Sequence, residues 1–275
     1  MTSEHPVPPK RRAPRVEIAG WTALVTGASS GIGAEFARAL AARGVHLVLT
    51  ARRTEHLQQL SGEIREAHAG VEVTVLTADL AQPGSPARLV EELAAAGLAV
   101  DLLVNNAGFG SHEPVVDEDP ARVVDQIQVN CIALAELTTR LLPAMVARGR
   151  GGVLNVASTA AFQPVATMAV YAATKAFVLS FTEALWAETR RSGVRVLALC
   201  PGATSTEFFA TVGREFLTRG RQTPTRVVEV GLAAFTCGHA PSVVSGAKNR
   251  VVAQGHRFVP RALVARLSAG TVRSG

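Results

Sequence analysis

The sequence contains little cysteine, lysine and tyrosine. Among its 275 residues there are three Cys, three Lys and a single Tyr. Cys131, Cys200 and Cys237 lie far apart and form no C-x-x-C pair, which excludes a disulfide scaffold and gives no metal-binding pattern. We therefore expect free thiols and a cytoplasmic protein without a metal.

Long apolar runs are missing as well. No run of 18 or more residues is uninterrupted by polar ones, so the sequence predicts no transmembrane segment although 48% of its residues are hydrophobic. Basic residues precede an apolar stretch near the N-terminus, as in a signal peptide. However, Glu17 and Gly20 interrupt that stretch, and no cleavage site of small residues follows the pattern.

Basic charge is concentrated at the start of the chain. The net charge is +6, and residues 1–15, which are rich in proline, carry +3 of it. We interpret this segment as a disordered basic tail; contact with nucleic acid or an acidic membrane is the alternative. The remaining +3 is spread too thinly to indicate a nucleic-acid-binding face.

Short β-branched apolar runs alternate with longer amphipathic segments from Trp21 onward. The predicted strands are 22–26, 45–50, 71–77, 100–105, 152–157, 194–200 and a last one near 250–253. The predicted helices include 34–43, 55–68, 86–96, 120–146, 172–191, 206–216, one from 224, and 261–267. This alternation indicates an α/β, doubly wound Rossmann fold with a mainly parallel sheet of about seven strands. No linker or repeat divides it, so residues 16–270 are expected to form a single domain.

Three glycines follow the first predicted strand, with the spacing G-x-x-x-G-x-G. Such a strand-to-helix turn lets the backbone approach a pyrophosphate at the helix N-terminus, although a purely structural tight turn is the alternative. No Lys follows the last glycine, which excludes a P-loop. The candidate residues are Gly27, Ser29, Ser30, Gly31, Ile32 and Gly33.

The same turn also satisfies the G-x-S-x-G pattern of a serine hydrolase, with Ser29 as nucleophile. In that fold, however, strands precede the nucleophile, whereas this turn follows the first strand. The acid and the histidine would have to be chosen freely from Glu207 or Glu229 and His239 or His256.

The end of the second strand indicates the type of dinucleotide. A carboxylate there would bind a ribose 2′-hydroxyl, but the chain has Ala51, Arg52 and Arg53. Guanidinium groups bind a 2′-phosphate well, so the sequence favours NADP(H). The alternative is that both arginines begin a solvated helix.

The only tyrosine, Tyr171, lies four residues before Lys175 in a helical pattern, so both side chains share one helix face. A neighbouring ammonium in a desolvated cleft lowers the pKa of a phenol, which suits acid–base chemistry on a carbonyl. Ser158, just past the fifth strand, could hold the carbonyl oxygen. Asn130, a polar residue in an apolar helix, could bind a water or a backbone carbonyl that positions Lys175.

Together these motifs resemble those of the short-chain dehydrogenase/reductases, in order and spacing, over about residues 20–240. The resemblance is to the compact single-domain, NADP-preferring branch. The matching motifs are 26–33, Asn105-Asn106-Ala107-Gly108, Asn130, Ser158, Tyr171-x-x-x-Lys175 and Pro201-Gly202.

The resemblance implies a role for each motif. Tyr171 would donate the proton in reduction and Ser158 would orient the substrate oxygen. Lys175 would lower the pKa of Tyr171 and bind the nicotinamide ribose, and Asn130 would support a water-linked proton relay. Further implied cofactor contacts are Asp79 and Leu80 at the adenine (or Asp79 as a loop cap), Asn106, Ala107 and Gly108 at the adenine ribose, and Pro201, Gly202, Thr204 and Thr206 near the nicotinamide carboxamide, with Thr206 preferred.

The sequence thus predicts an NADP(H)-dependent oxidoreductase that interconverts a carbonyl and a secondary alcohol on a small-molecule substrate. A cofactor-binding sensor without turnover is the alternative. The residues that flank the predicted site suggest an apolar or bulky substrate, with simple packing as the alternative: Phe162, Pro164, Met168, Phe208, Phe209 and Phe216. The resemblance implies a homodimer or homotetramer built partly on the Asn130 and Tyr171 helices. The basic C-terminal helix could cover the pocket, extend an interface or touch a membrane.

Overall fold

The structure is a computed structural model that describes residues 15–208, 220–255 and 259–273. The predicted tail therefore lies, except for Arg15, outside the described residues. The same holds for the helix predicted at 206–216, of which only the first three residues are described.

The seven strands of the described chain form one parallel sheet in the order β3-β2-β1-β4-β5-β6-β7. This confirms the predicted fold class, and the strand order reverses between β1 and β4. The strands are β1 (Thr22–Thr26), β2 (His46–Thr50), β3 (Val73–Val75), β4 (Leu102–Asn105), β5 (Gly151–Val156), β6 (Val194–Cys200) and β7 (Ser242–Val244).

Helices cover both faces of the sheet. A π-helical turn (Gln128–Ala133) joins α4 to α5, and a 3₁₀ turn (Thr159–Phe162) follows β5. The α-helices are α1 (Gly31–Ala41), α2 (Thr54–Ala67), α3 (Ser85–Ala95), α4 (Pro120–Ile127), α5 (Leu134–Arg148), α6 (Ala169–Thr189), α7 (Pro224–Cys237), α8 (Ala247–Gly255) and α9 (Arg261–Arg273).

The alternation of side chains along each strand divides the core into two layers. Val25 of β1 belongs to the layer that contains Phe36 and Phe235, from α1 and α7. Its neighbour Leu24 belongs to the opposite layer, with residues of α3 and α5. Because both faces are buried, the strands are apolar almost throughout, as expected for a parallel sheet.

The last strand was predicted in the wrong place. Residues 250–253 lie in α8, where Val251 and Val252 are exposed on the helix surface. The strand that completes the sheet is β7, which contains the preceding Val-Val pair, Val243-Val244, and lies beside β6. Only tertiary pairing distinguishes the two pairs, because each has the same local preference for a strand.

One continuous helical stretch of the described residues, Pro120–Arg148, is long and apolar enough to cross a membrane by length and composition alone, and 39% of its apolar window is buried. Leu137 and Met145 in this stretch pack against the sheet. The expectation that no segment spans a membrane stays a prediction.

Candidate active site

A cavity of about 540 Å³ lies at the carboxyl ends of the central strands. In an open parallel sheet, ligands bind at this edge, where the strand order reverses. The predicted residues that line it are Gly27, Ser29, Ser30, Gly31, Ile32, Arg52, Arg53, Asp79, Leu80, Asn106, Ala107, Gly108, Ser158, Tyr171, Lys175, Pro201, Gly202, Thr204 and Thr206. The two remaining predicted residues, Gly33 and Asn130, lie behind this lining.

The glycine turn is packed too closely for side chains. Gly27 has a φ of 65°, in the left-handed region, and a Cβ there would lie 2.8 Å from Cα of Ala107. A Cβ on Gly33 would overlap the carbonyl oxygen of Gly27 and the amide nitrogen of Asn106. The turn therefore brings bare backbone to the start of α1.

Thr26 ties this turn to the end of β4. Its Oγ1 donates to the carbonyl oxygen of Val104 at 3.3 Å and accepts from the backbone N–H groups of Asn106 and Ala107, each at 3.0 Å. The Asn106 side chain donates in turn to the carbonyl oxygen of Thr26 at 3.0 Å. These bonds hold the two walls of the cavity at the point where the strand order reverses.

The N-terminus of α1 opens into the cavity. Its N-cap residue, Ser30, makes no side-chain capping bond to the helix, so the N–H groups of the first turn can bind an anion. The cradle of bare glycine backbone and these N–H groups fit the pyrophosphate of a dinucleotide.

Arg53 is held across the cavity rather than extended into solvent. Its Nε and Nη2 atoms donate to Oγ of Ser29 at 3.3 and 3.2 Å, and Nη2 also donates to Oε2 of Glu207 at 2.8 Å. The sequence reasoning missed this partner, because Glu207 belongs to a segment 154 residues away. Arg52 is exposed at the same rim.

Ser158, Tyr171 and Lys175 meet on one side of the cavity. The Ser158 side chain lies close enough to the Tyr171 phenol to lower its pKa. Nζ of Lys175 lies 5.8 Å from the centroid of the Tyr171 ring and donates to the carbonyl oxygen of Val156 at 2.8 Å. Ser158 follows β5 and the other two share α6, so the sheet edge and one helix face bring the three together.

The pKa of Tyr171 is shifted in the direction opposite to that expected from the sequence. Burial raises it to about 12, and the hydrogen bond with Ser158 only partly opposes the rise. Burial also lowers the pKa of Lys175 to about 8. The expectation that the ammonium lowers the pKa of the phenol is therefore wrong for the protein alone, in which the desolvation of each group is the largest effect.

Asn130 lies in the π-helical turn and is 1% exposed. Its side chain accepts from the backbone N–H of Phe109 at 3.1 Å and donates to the Phe109 carbonyl at 2.9 Å. It also donates to Oγ1 of Thr174, the neighbour of Lys175, at 3.0 Å. The carbonyl that Asn130 binds belongs to Phe109, whereas Lys175 donates to the carbonyl of Val156. Asn130 thus joins the loop after β4 to the Lys175 helix, and its role in positioning Lys175 stays a prediction.

The remaining predicted residues are held by local bonds. Oδ1 of Asp79 accepts from the backbone N–H of Ala81 at 3.1 Å, so it caps its own loop while it lines the cavity. Oγ1 of Thr204 donates to the Gly202 carbonyl at 2.9 Å. The Thr206 side chain lies against Gly31, where a Cβ would be 3.1 Å from it.

The part of the cavity beside Tyr171 is largely apolar. The Phe208 ring lies 5.3 Å from the Tyr171 ring, centroid to centroid. The other apolar side chains there are Phe109, Val165 and Met168. Met168 and Phe208 were among the residues that the sequence analysis placed near the site.

The hydrolase alternative has no support at Ser29. Its hydroxyl receives two hydrogen bonds from the Arg53 guanidinium, a group that stays protonated and cannot act as the base a nucleophilic serine needs.

Comparisons with known proteins identify the family. The short chain dehydrogenase family matches residues 21–215. The chain is 33% identical over 240 residues to a very-long-chain 3-oxoacyl-CoA reductase from Anas platyrhynchos, covering 83% of this chain and 74% of that protein.

Two solved structures have the same fold over most of their length. A short-chain dehydrogenase from Sphingobium yanoikuyae in complex with NADPH has a TM-score of 0.80 and 32% identity, covering 88% of this chain and 94% of that one. A 7β-hydroxysteroid dehydrogenase has a TM-score of 0.82 and 28% identity, covering 92% and 98%. The chain therefore belongs to the short-chain dehydrogenase/reductase family, and it is an oxidoreductase of carbonyl and alcohol groups that uses a nicotinamide cofactor.

Proposed function

We propose that the protein is an NADP(H)-dependent oxidoreductase that interconverts a carbonyl and a secondary alcohol at a centre formed by Ser158, Tyr171 and Lys175. One observation carries this proposal: a serine, a tyrosine and a buried lysine lie side by side in the same cavity as the glycine turn. The cavity thus combines an acid–base group with a site that fits a dinucleotide.

The bound nicotinamide supplies or accepts the hydride. In the reduction, Tyr171 donates its proton to the substrate oxygen, and its high pKa keeps the phenol protonated at neutral pH. Ser158 holds the same oxygen through its hydroxyl. In the oxidation, Lys175 stabilises the phenolate, because an ammonium in a desolvated cleft interacts strongly with a nearby negative charge.

Asn130 is proposed as a positioning residue in this centre. It connects the Phe109 backbone to Thr174, which precedes Lys175 in α6. The water-linked proton relay implied by the family resemblance stays a prediction.

We infer the preference for NADP(H) from the charge at the end of β2. Arg52 and Arg53 line the cavity at the end of β2. In a protein that binds NAD(H), a carboxylate at this position would accept a hydrogen bond from the ribose 2′-hydroxyl. The similar short-chain dehydrogenase from Sphingobium yanoikuyae, whose structure contains NADPH, supports the same choice. Asp79, Leu80 and Asn106 to Gly108 are proposed for the adenosine end, and Thr204 and Thr206 for the carboxamide.

An apolar carbonyl compound is the proposed substrate class. Phe109, Met168 and Phe208 surround the Tyr171 side of the cavity, and a pocket of this composition favours alkyl or ring substituents. The names of two similar proteins, a very-long-chain 3-oxoacyl-CoA reductase and a 7β-hydroxysteroid dehydrogenase, point to substrates with large apolar parts.

We further propose one domain over residues 16–270 that forms a homodimer or homotetramer in the cytoplasm. Exposed apolar side chains on the proposed contact helices support an interface: Ile132 is 48% exposed and Phe177 is 42% exposed. The free thiols of Cys131, Cys200 and Cys237 suit a reducing compartment.

A substrate panel tests the proposed function. The purified protein would be assayed with NADPH and with NADH against 3-oxoacyl thioesters, ketosteroids, aromatic ketones, aldehydes and quinones, following absorbance at 340 nm. We expect turnover of an apolar ketone with NADPH and none with Tyr171→Phe. Binding of NADPH without oxidation of it by any member of the panel would favour the sensor alternative.

A further inference from the structure

An ion pair joins the two sides of the cofactor cavity. Glu207, in the segment after β6, contacts Arg53, the residue before α2, at 2.8 Å between Oε2 and Nη2. The side chain of Ser30, the N-cap of α1, lies close to Glu207 as well and contributes to lowering the pKa of its carboxyl. The carboxylate therefore lies at the helix N-terminus where the phosphates of a dinucleotide are expected.

The surroundings of Glu207 favour an anion. The hydrogen bond from Arg53 holds the pKa of the carboxyl below its usual value, so the group is ionised at neutral pH. The Arg53 guanidinium and the N–H groups of the first turn of α1 are the donors that bind a phosphate best. A carboxylate of the chain thus occupies donors that also suit the cofactor.

The neighbours of Glu207 extend this contact along the cavity. Thr206 lies against Gly31 of the glycine turn, and Phe208 packs on the ring of Tyr171. We define residues 204–208 as the roof segment. It connects the phosphate end of the cavity to the proposed catalytic tyrosine, with Glu207 as its charged link to the opposite wall.

We propose that Glu207 determines cofactor specificity by competing with the 2′-phosphate of NADP(H) for Arg53. This inference rests on the proposed NADP(H) function. The Glu207 carboxylate and a 2′-phosphate would share the donors of one guanidinium, and both are negatively charged, whereas NADH has no 2′-phosphate to place there. The carboxylate therefore weakens NADPH binding more than NADH binding and limits the preference for NADP(H).

Binding measurements on Glu207→Gln test the proposal without reference to turnover. Gln keeps the size of the side chain and one acceptor oxygen but removes the charge. Because Arg53 and Glu207 are 44% and 56% exposed, the pair is a partly exposed one, and we expect the Kd for NADPH to fall about two- to fivefold. Titration calorimetry should show a smaller change, or none, in the Kd for NADH.

A matched control is available in another ion pair. Arg38 and Glu63 join α1 to α2 at 2.6 Å and are 44% and 51% exposed, almost the same as Arg53 and Glu207. Glu63→Gln removes an equivalent charge away from the cavity, so it should leave both Kd values unchanged.

Arg53→Ala and the double variant separate this inference from the proposed cofactor preference. We expect Arg53→Ala to weaken NADPH binding, and Glu207→Gln to produce no further change in the NADPH-to-NADH ratio in that background. The proposed role of Glu207 is wrong if Arg53→Ala weakens NADPH binding but Glu207→Gln leaves the ratio of the two Kd values unchanged. An equal fall in the Kd for NADPH and for NADH in Glu207→Gln is such a case. If Arg53→Ala leaves NADPH affinity unchanged, the proposed use of Arg53 for NADP(H) is wrong and the competition falls with it.

Discussion

Lys175 is fastened to the end of β5: its Nζ donates to the carbonyl oxygen of Val156 at 2.8 Å, two residues before Ser158. The ammonium is thereby held at a fixed place beside the ring of Tyr171, and it is 5% exposed. Burial of the ammonium destabilises its charged form, and for this reason the pKa of Lys175 is lowered to about 8.

This cost predicts a pH dependence of stability. Between about pH 8 and 10.5 the folded Lys175 is neutral while the unfolded side chain is protonated, so unfolding takes up a proton and stability rises with pH. The shift from 10.5 to about 8 corresponds to roughly 3 kcal/mol over that interval. Urea unfolding at a series of pH values should show this rise in the wild type and a smaller one in Lys175→Met. Parallel curves for the two proteins would contradict the buried cation.

The titration of Tyr171 can be observed directly, because it is the only tyrosine. With a pKa raised to about 12, the phenol should remain protonated at pH 10, where a solvated tyrosine is half ionised. Absorbance at 295 nm against pH, with Tyr171→Phe subtracted, measures this. A transition at or below pH 10 in the free protein would mean that Lys175 outweighs burial.

Removal of the phenol should abolish proton transfer but spare cofactor binding. We expect Tyr171→Phe to lower kcat by about 10²- to 10⁴-fold, the usual contribution of a general acid, while the Kd for NADPH changes little. Steady-state kinetics on the substrate found in the panel, together with calorimetry, would check both values. Retention of most of the activity would remove Tyr171 from the mechanism.

The glycine turn gives a prediction with an internal control. In Gly33→Ala the new methyl would overlap the Gly27 carbonyl and the Asn106 amide, so the turn must open and cofactor affinity should fall at least tenfold. Gly62, inside α2, has no atoms within 4 Å of a Cβ, so Gly62→Ala should leave affinity unchanged and raise stability by up to about 1 kcal/mol. Equal affinities in the two variants would show that the close approach at Gly33 does not matter.

Loss of Asn130 should destabilise the fold as well as the site. Asn130→Ala leaves the N–H and the carbonyl of Phe109 without their partner, which costs about 1–3 kcal/mol for a buried group. Thr174→Val removes only the third bond of Asn130 and should cost less. Urea unfolding would measure the free energy of unfolding of both variants. A larger loss of stability in Thr174→Val would show that the bond to Thr174 matters more than the two bonds to Phe109.

The sequence predicts those parts of the molecule that depend on local pattern. Strand β6 begins and ends at the predicted residues because an apolar run, interrupted only by Arg195, lies between a turn and Pro201 and has one reasonable interpretation. The Tyr171–Lys175 pair follows from helical spacing alone. By contrast, Val243-Val244 and Val251-Val252 have the same local preference for a strand, and only the first pairs with β6.

Long-range partners account for most of what the sequence missed. Neither the bond from Arg53 to Glu207 nor the bond from Lys175 to Val156 has a local signal, because each joins residues from different elements. The predicted direction of the Tyr171 pKa shift was wrong because tertiary packing buries the phenol. Spacing reveals that a lysine is near, but it cannot reveal how completely the pair is withdrawn from water.

The bonds of Thr26 have a consequence for how a ligand enters. To widen the cavity by parting β1 from β4, the protein would have to break three hydrogen bonds of a side chain that is 1% exposed, at about 1–3 kcal/mol for each group left unsatisfied. The roof segment meets the rest of the cavity through the packing of Thr206 on Gly31 and of Phe208 on Tyr171, and through a partly exposed ion pair worth at most about 1 kcal/mol. Less free energy is therefore needed to move the roof segment than to separate β1 from β4. We expect the dinucleotide to enter and leave past Glu207 while the strands stay in register.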